Sequence, residues 1–415
     1  MNDYRRNFFA VWPSLFLVSM GLMAFLPMLP IYVREQFGVA GEAEATFWAG
    51  IIYGVAPLTA AIFGPIWGSL GDRRGRKAMT LRAIGGIAVV AMLMPLAKST
   101  WSLLALRALQ GALAGYVAPA MSLVSATTPP DRQATVIGRL QVGLALGLLA
   151  GPALGAEIAH AFGRPAVFYA TALAAGLALV PIVFFAREDH ASLRPSSDNR
   201  LRVIADLREL FAAPVLGALL ASLLLFRLGM QMADAFVALL VERFGPLGWV
   251  LARAESLPHA IDRTTAFVFV LLALAQVLFT TTWARIGDRF GPLRGLIVVA
   301  VGLGATTIAS AFATSIQAYV LLRGIGAICA AGAATLSYAA LGKRIAPTSR
   351  SVAFASLQSC MQLGMFLGPL LGGVIAGPLG LSGVLVVSGV LVTASGWAML
   401  NVRRREKQRR AEERA

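Results

Sequence analysis

Residues 68–77 read GSLGDRRGRK, a short stretch of glycines and charges between two long apolar runs. The flanking runs, 46–70 and 78–97, have the length of ~20 residues that a helix needs to cross ~30 Å of hydrocarbon. The glycines allow a tight backbone turn between two helices. Asp72 is suited to the positive end of a helix dipole, and the arginines offer forked hydrogen-bond donors. The stretch therefore predicts a charged turn between two membrane spans.

Similar apolar runs fill the rest of the chain. Of the 415 residues, 58% are hydrophobic and 13% are charged, whereas a soluble domain carries about 25% charged residues. This composition excludes an ordinary soluble enzyme and predicts an all-α membrane protein. The twelve predicted spans are 11–33, 46–70, 78–97, 101–125, 134–160, 165–186, 212–241, 264–286, 293–313, 316–341, 350–376 and 381–402.

The basic residues set the expected orientation. A net charge of +16 would indicate nucleic-acid binding in a soluble protein. Here the basic residues lie in short loops, with 27 of the 36 Lys and Arg on one side and six on the other. The positive-inside rule then places the richer side, and both termini, in the cytoplasm. We expect a multi-pass protein of a bacterial inner membrane, with no nucleic-acid partner.

The chain is expected to consist of two similar halves. We predict a six-helix bundle at 1–186, a cytoplasmic linker at 187–211, a second bundle at 212–402 and a basic tail at 403–415. Three sequence landmarks recur after 216 or 217 residues, which indicates a duplicated six-span unit. These pairs are Gly71-Asp72-Arg73 and Gly287-Asp288-Arg289, Arg107 and Arg323, and Gly151-Pro152 and Gly368-Pro369. Transporters built from such repeats bind substrate near the bilayer midplane.

The stretch 68–77 resembles the signature loop of the major facilitator superfamily. This resemblance implies the superfamily's twelve-span fold of two pseudo-symmetric halves. It also implies that Asp72 faces the start of span eleven, near residues 348–351, and latches the cytoplasmic side. The family often has an acid at the end of span four, where 127–131 here read TTPPD, so the partner of Arg76 stays open. The predicted gate residues are Gly68, Asp72, Arg73, Gly75, Arg76 and Asp288.

Span five contains glycines at regular spacing. Gly143, Gly147, Gly151 and Gly155 are four residues apart, so they share one helix face on which a neighbouring helix can approach closely. Pro152 removes a backbone hydrogen bond and should bend the helix. The pattern resembles the antiporter motif of drug:proton exporters, although Ala156 stands where that family usually has a second glycine. It favours export over uptake.

Ionisable residues inside spans are costly and are functional candidates. Arg107 resembles the span-four arginine that the family is thought to use in proton coupling, although a structural role is also open. In span seven, Arg227, Gln231 and Asp234 share one helix face by their spacing. We expect Asp234 to carry the proton or bind a cationic substrate, with Arg227 as its modulator. The alternative is a static Asp234–Arg227 pair.

The predicted function is proton-coupled efflux of drugs or small lipophilic molecules by alternating access. A sugar or metabolite exporter or facilitator of the same fold is one alternative, and a transporter-like sensor or scaffold is another. We expect no enzymatic activity and no cofactor or metal; the partners are a small-molecule substrate, protons and the bilayer, and the chain should be a monomer. The expected cavity-lining residues are Met23, Tyr53, Tyr116, Gln231, Gln276, Tyr338, Gln358 and Gln362.

Overall fold

The computed structural model describes residues 3–39, 41–129, 132–188, 214–342, 344 and 350–412. The predicted linker lies outside these residues except for its first two positions. The predicted basic tail is described as far as Glu412, at the end of the last helix.

Within the described residues the regular structure is entirely helical, which confirms the all-α prediction. Two short 3₁₀ turns, Leu26–Met28 and Met94–Leu96, join neighbouring helices. The helices are α1 Asp3–Phe25, α2 Leu29–Phe37, α3 Glu42–Arg74, α4 Arg76–Leu93, α5 Thr100–Leu113, α6 Val117–Thr127, α7 Gln133–Phe162, α8 Arg164–Phe185, α9 Pro214–Asp234, α10 Val237–Phe244, α11 Gly248–Leu251, α12 Leu257–Phe290, α13 Pro292–Ala311, α14 Ile316–Ala330, α15 Ala333–Gly342 and α16 Arg350–Glu412.

Eleven helical stretches in the described part of the chain are long and apolar enough to cross a membrane. The last of them, Leu357–Arg404, has 48 residues. A straight helix of that length would measure ~72 Å, more than twice the ~30 Å of the hydrocarbon core. Gly380, at φ 65° and ψ 178°, interrupts the helical backbone between the predicted spans 350–376 and 381–402.

The chain forms two compact units. Unit 1 comprises residues 1–40, 55–197 and 245–270, and unit 2 comprises 41–54, 198–244 and 271–415. Helices α3 and α12 contribute to both units. The apolar core of unit 1 includes Leu15, Ile84 and Leu123, and that of unit 2 includes Leu223 and Leu296. The domain boundaries expected from the sequence stay a prediction.

The internal repeat is visible in side-chain and backbone geometry. Gly75 is the single residue between α3 and α4, with φ 99°, and Gly291 has φ 93° between α12 and α13. A positive φ at these two turns is accessible to glycine at little cost. Ser99 caps the N-terminus of α5, and Ser315 caps α14 in the same way. Both pairs of residues are 216 positions apart.

A tryptophan contact repeats at the same offset. In unit 1, Trp67 Nε1 donates to the carbonyl oxygen of Ala112 at 2.6 Å. In unit 2, Trp283 Nε1 donates to the carbonyl oxygen of Ile328 at 2.7 Å. Each contact ties the end of a long helix to the next helix but one, so the duplicated sequence has kept the same packing in both units.

The glycines of α7 pack directly against α1. A Cβ atom added at Gly147 would lie 2.0 Å from Ser19 Oγ, and one at Gly155 would lie 2.2 Å from the carbonyl oxygen of Ala24. Such distances are far inside van der Waals contact, so a larger residue would force the two backbones apart. The close α1–α7 contact thus depends on these positions having no side chain.

We predict that Gly147→Ala lowers the free energy of unfolding by about 1–3 kcal/mol, because the methyl group overpacks the α1–α7 contact. Gly138→Ala is the matched control, since Gly138 lies in the same helix and has open space at its Cβ position. Thermal unfolding in detergent, followed by tryptophan fluorescence, checks this. Equal melting temperatures for the two variants would contradict the packing argument.

Candidate functional site

Asp234 is the last residue of α9, and α10 begins three residues later at Val237. The negative end of the α9 dipole disfavours an acid at this position. Arg323, from α14, compensates by donating from Nη2 to Asp234 Oδ1. Only 5% of the Arg323 side chain and 16% of the Asp234 side chain are exposed. Unit 2 therefore contains a nearly buried ion pair inside its helices.

The ion pair borders a small pocket in unit 2. Apolar side chains such as Leu272 and Leu303 form one part of its wall. The hydroxyls of Thr306, Thr307 and Ser310 form another, and each donates to a carbonyl oxygen of its own helix. Their oxygen lone pairs can still accept hydrogen bonds. Asp234 thus faces a space that offers acceptors beside an otherwise apolar surface.

Arg227 takes a different position from the one expected. Its Nη1 lies 3.7 Å from Met230 Sδ, and its Nε has no hydrogen-bond partner among the described residues. It forms no ion pair with Asp234 within that part of the chain. Gln231, between them on the same helix, donates weakly to Tyr53 Oη at 3.5 Å. The residue that sequence reasoning chose as modulator is therefore a neighbour on the helix, and Arg323 is the direct partner.

Arg107 occupies the corresponding place in unit 1. Its side chain is buried, and its Nη1 donates to Gln110 Oε1. The guanidinium also lies over the ring of Phe25, 5.3 Å from the centroid, which is a favourable cation–π geometry. These contacts are neutral, unlike the carboxylate that binds Arg323.

The glycine faces define which residues of α1 and α9 are equivalent. Gly147 packs on Ser19, and Gly364 packs on Arg227. Equivalent glycines of α7 and α16 are thus 217 positions apart in the sequence. Their contact residues on α1 and α9, Ser19 and Arg227, are 208 positions apart. The next glycines agree, because Gly151 packs on Met23 and Gly368 packs on Gln231.

At this offset of 208, the counterpart of Asp234 in unit 1 is Leu26. The two arginines, Arg107 and Arg323, are equivalent, but the residue that corresponds to the acid opposite Arg323 is a leucine in unit 1. Leu26 cannot form an ion pair, so the Asp234–Arg323 contact has no equivalent at this position of unit 1. The two units therefore share the same helix packing, but this position carries an acid in unit 2 and an apolar residue in unit 1.

The signature loop also ties the start of α4 to the end of α8. The backbone N–H of Lys77 donates to Glu188 Oε2 at 2.5 Å, so a carboxylate sits at the positive end of α4. Lys77 Nζ donates to the carbonyl oxygens of Val183 and Ala186 at the end of α8. Sequence reasoning missed Glu188, because it lies at the edge of the predicted linker. An acid two residues beyond a span was the available signal.

Part of the predicted gate cannot be placed. The side chains at positions 68, 72 and 73 and the segment 345–349 lie outside the described residues, so the latch stays a prediction. Gly75 is the turn residue described above, Arg76 begins α4, and Asp288 is exposed near the end of α12.

The predicted cavity-lining residues divide between the units. Met23 and Tyr116 lie in unit 1, while Tyr53, Gln231, Gln276, Tyr338, Gln358 and Gln362 lie in unit 2. Within unit 2, Tyr338 Oη donates to Gln358 Oε1 at 3.0 Å. Gln276 and Gln358 are exposed, and Tyr53 and Gln231 are buried.

A cluster of charged residues links the end of α7 to the start of α12 in unit 1. Arg263 donates to both oxygens of Glu157, at 2.6 and 2.8 Å. His160 Nε2 lies 3.1 Å from Glu255 Oε2, and its ring stacks on His259 with centroids 3.6 Å apart. The arrangement fits side chains that fasten a predicted external loop to a helix end.

The chain is similar to known proteins in both sequence and structure. The sequence model of the Major Facilitator Superfamily matches residues 11–253 and 257–415. The multidrug resistance protein MdtG of Yersinia enterocolitica is 30% identical over 395 residues, covering 94% of this chain and 91% of that protein. MdtG of Salmonella paratyphi B is 30% identical over 409 residues, 97% of each. A bacterial homologue of the human lysosomal transporter Spinster, solved inward-facing and occupied, superposes with a TM-score of 0.77 at 16% identity, covering 97% of each chain.

We predict that Asp234→Asn and Arg323→Gln each lower the free energy of unfolding by about 3–5 kcal/mol, because each leaves a nearly buried charge unpaired. The double variant should lose less than the sum of the two single losses, since it removes both charges. Unfolding in detergent provides the four free energies of the cycle.

The control cycle pairs Asp234→Asn with Arg227→Gln. We expect a smaller departure from additivity there, because these two side chains form no ion pair in the structure. Equal departures from additivity in the two cycles would contradict a direct pairing of Asp234 with Arg323.

Proposed function

The chain belongs to the major facilitator superfamily of membrane transporters, and we propose that it exports drugs or other small lipophilic molecules in exchange for protons. The observation that carries the proposal is the nearly buried Asp234–Arg323 pair beside a partly apolar pocket in unit 2. An ionisable pair at such depth is expensive and is typical of a proton relay.

In the proposed cycle, the Asp234 carboxylate pairs with Arg323 while no proton is bound. A proton that reaches Asp234 neutralises it and ends the attraction to Arg323. Two unit charges 4 Å apart attract by about 4 kcal/mol at an effective dielectric constant of 20. Loss of an interaction of this order is enough to shift an equilibrium between two conformations by about a thousandfold.

The substrate would bind on the same face of α9, beside the proton site. Gln231 and Tyr53 make a long hydrogen bond of 3.5 Å, which a ligand can replace at little cost. Arg227 has an unpartnered Nε and packs its aliphatic part against Gly364. Competition between the substrate and the proton for this face would couple their movements in opposite directions.

Two observations favour export of lipophilic molecules over the uptake of sugars. The glycine face of α7, Gly143 to Gly155, has the spacing of the drug:proton antiporter motif. The similar proteins of Yersinia enterocolitica and Salmonella paratyphi B are named as multidrug resistance proteins. We propose that the twelve spans, in two six-helix halves, operate by alternating access.

We predict that Asp234→Asn strongly lowers the rate of transport driven by a pH gradient. Inverted vesicles with an imposed gradient should accumulate members of a panel of lipophilic dyes, and the variant should lower the gradient-driven rate by at least ~10-fold, the equivalent of 1.4 kcal/mol. Glu44→Gln is the control, because it removes one exposed carboxylate far along the chain from the pair. If the native chain moves the panel equally well without a gradient, it is a facilitator; if Asp234→Asn keeps the response, another group carries the proton.

We also propose twelve spans, counting Leu357–Arg404 as two because Gly380 breaks that helix. An even number of crossings puts both termini on one side, and the positive-inside rule puts that side in the cytoplasm of a bacterial inner membrane. An odd number would separate the termini.

Fusion of a reporter protein to each terminus tests this orientation. We predict that green fluorescent protein fluoresces at both termini and that alkaline phosphatase is inactive at both. The first reporter folds only in the cytoplasm and the second only outside it. Phosphatase activity at one terminus alone would show an odd number of spans. Activity at both would show an inverted orientation.

A further inference from the structure

A groove opens between the N-terminal ends of α1 and α7 in unit 1. Its walls combine arginines, aromatic rings and small residues from the two helices. The lining residues are Tyr4, Arg5, Phe8, Phe9, Arg132, Thr135, Val136 and Arg139.

The groove lies just beyond the end of the glycine face at Gly143. A Cβ at Gly143 would lie 3.0 Å from Trp12 Nε1, so the helices are still in close contact there. One turn earlier, Trp12 Nε1 donates to the carbonyl oxygen of Arg139 at 3.1 Å. From that point toward the N-termini, α7 presents the larger side chains of Val136 and Arg139 in place of glycine.

The rim of the groove is cationic. Arg5 Nε and Arg132 Nη1 each donate to Tyr4 Oη at 3.2 Å, which leaves the phenol hydrogen free to donate in turn. Arg139 is exposed on the opposite wall. None of the described lining residues is acidic, so their charges add up to a site for an anion.

The floor of the groove is aromatic. Phe8 and Phe9 meet edge to face with centroids 5.5 Å apart, and Phe9 is 63% exposed. Farther along α1, Trp12 and Phe16 stack with centroids 6.1 Å apart. Aromatic rings therefore continue from the arginines into the apolar part of the predicted span, along the path of an acyl chain.

We propose that this groove binds an anionic phospholipid of the cytoplasmic leaflet. The lipid phosphate accepts hydrogen bonds from Arg5, Arg139 and Tyr4, and an acyl chain lies on Phe8 and Phe9. Basic pockets at this level attract anionic headgroups, and guanidinium groups bind phosphate by paired hydrogen bonds. A soluble phosphate would use the rim but leave the exposed aromatic floor uncovered.

Such a lipid would bridge α1 and α7 at the end that lies beyond their glycine contact. The same two helices meet through Gly147, Gly151 and Gly155. A bound headgroup would neutralise the repulsion between arginines of the two helices and stabilise the pair. The proposal does not depend on which molecule the protein transports or on proton coupling.

Native mass spectrometry of the full chain, released from detergent with added cardiolipin, tests the site. We expect Arg5→Gln/Arg139→Gln to lower the fraction of protein that retains cardiolipin by at least ~5-fold, given two lost charge-assisted contacts. The control Arg285→Gln/Arg294→Gln removes two exposed arginines from the same predicted side of the membrane and should retain cardiolipin as the native chain does. Equal retention by the two double variants would overturn the proposal.

Two further measurements identify the ligand. Phosphatidylethanolamine, which has no net charge, should be retained less than cardiolipin by the native chain, and equal retention would overturn the choice of an anionic lipid. Millimolar pyrophosphate should not displace cardiolipin, because it cannot cover the aromatic floor; full displacement would show a soluble-anion site. Gel filtration and thermal unfolding of each variant confirm that it is folded, and Phe9→Ala, which keeps every charge, should also weaken cardiolipin retention.

Discussion

The ion pair between Asp234 and Arg323 sets the strongest constraint on this structure, because two charges that are nearly removed from water must satisfy each other. Asp234 stands at the end of α9, where the helix gives way to a short turn before α10. Arg323 reaches it from α14 and is almost fully buried. Neither residue can move away alone without leaving a charge in an apolar environment. The contact between α9 and α14 therefore depends on this one ion pair.

The scaffold that holds this pair occurs twice. Gly75 and Gly291 turn the chain with the same backbone conformation, and Trp67 and Trp283 make the same contact. Glycine faces bring α7 onto α1 and α16 onto α9 in matching register. Packing of this kind depends on small residues and fixed turns. Both are copied together when a sequence is duplicated. The charge of Asp234 is additional to the scaffold, since Leu26 fills the same place in unit 1.

The sequence predicted the elements that depend on local spacing. Glycines four residues apart predict a close helix contact, and a glycine between two spans predicts the turn at Gly75. The same spacing placed Asp234 and Arg227 on one face of a helix, but seven residues separate them by ~10 Å along its axis, too far for a direct ion pair. The actual partner, Arg323, lies on another helix. Hydrophobic periodicity does not determine how that helix is rotated about its axis. The offset of 216 between Arg107 and Arg323 was the one available signal that Arg323 has a role of its own.

The broken symmetry suggests how a single proton could act on a duplicated protein. With Asp234 ionised, Arg323 is held by a charge, whereas Arg107 is held by Gln110 and the ring of Phe25. With Asp234 protonated, Arg323 loses the attraction of that carboxylate, and positions 26 and 234 are both uncharged. In the proposed antiport cycle, ionisation of Asp234 thus adds an attraction between α9 and α14. The duplicated scaffold does not provide this attraction by itself, because the equivalent residue Leu26 carries no charge.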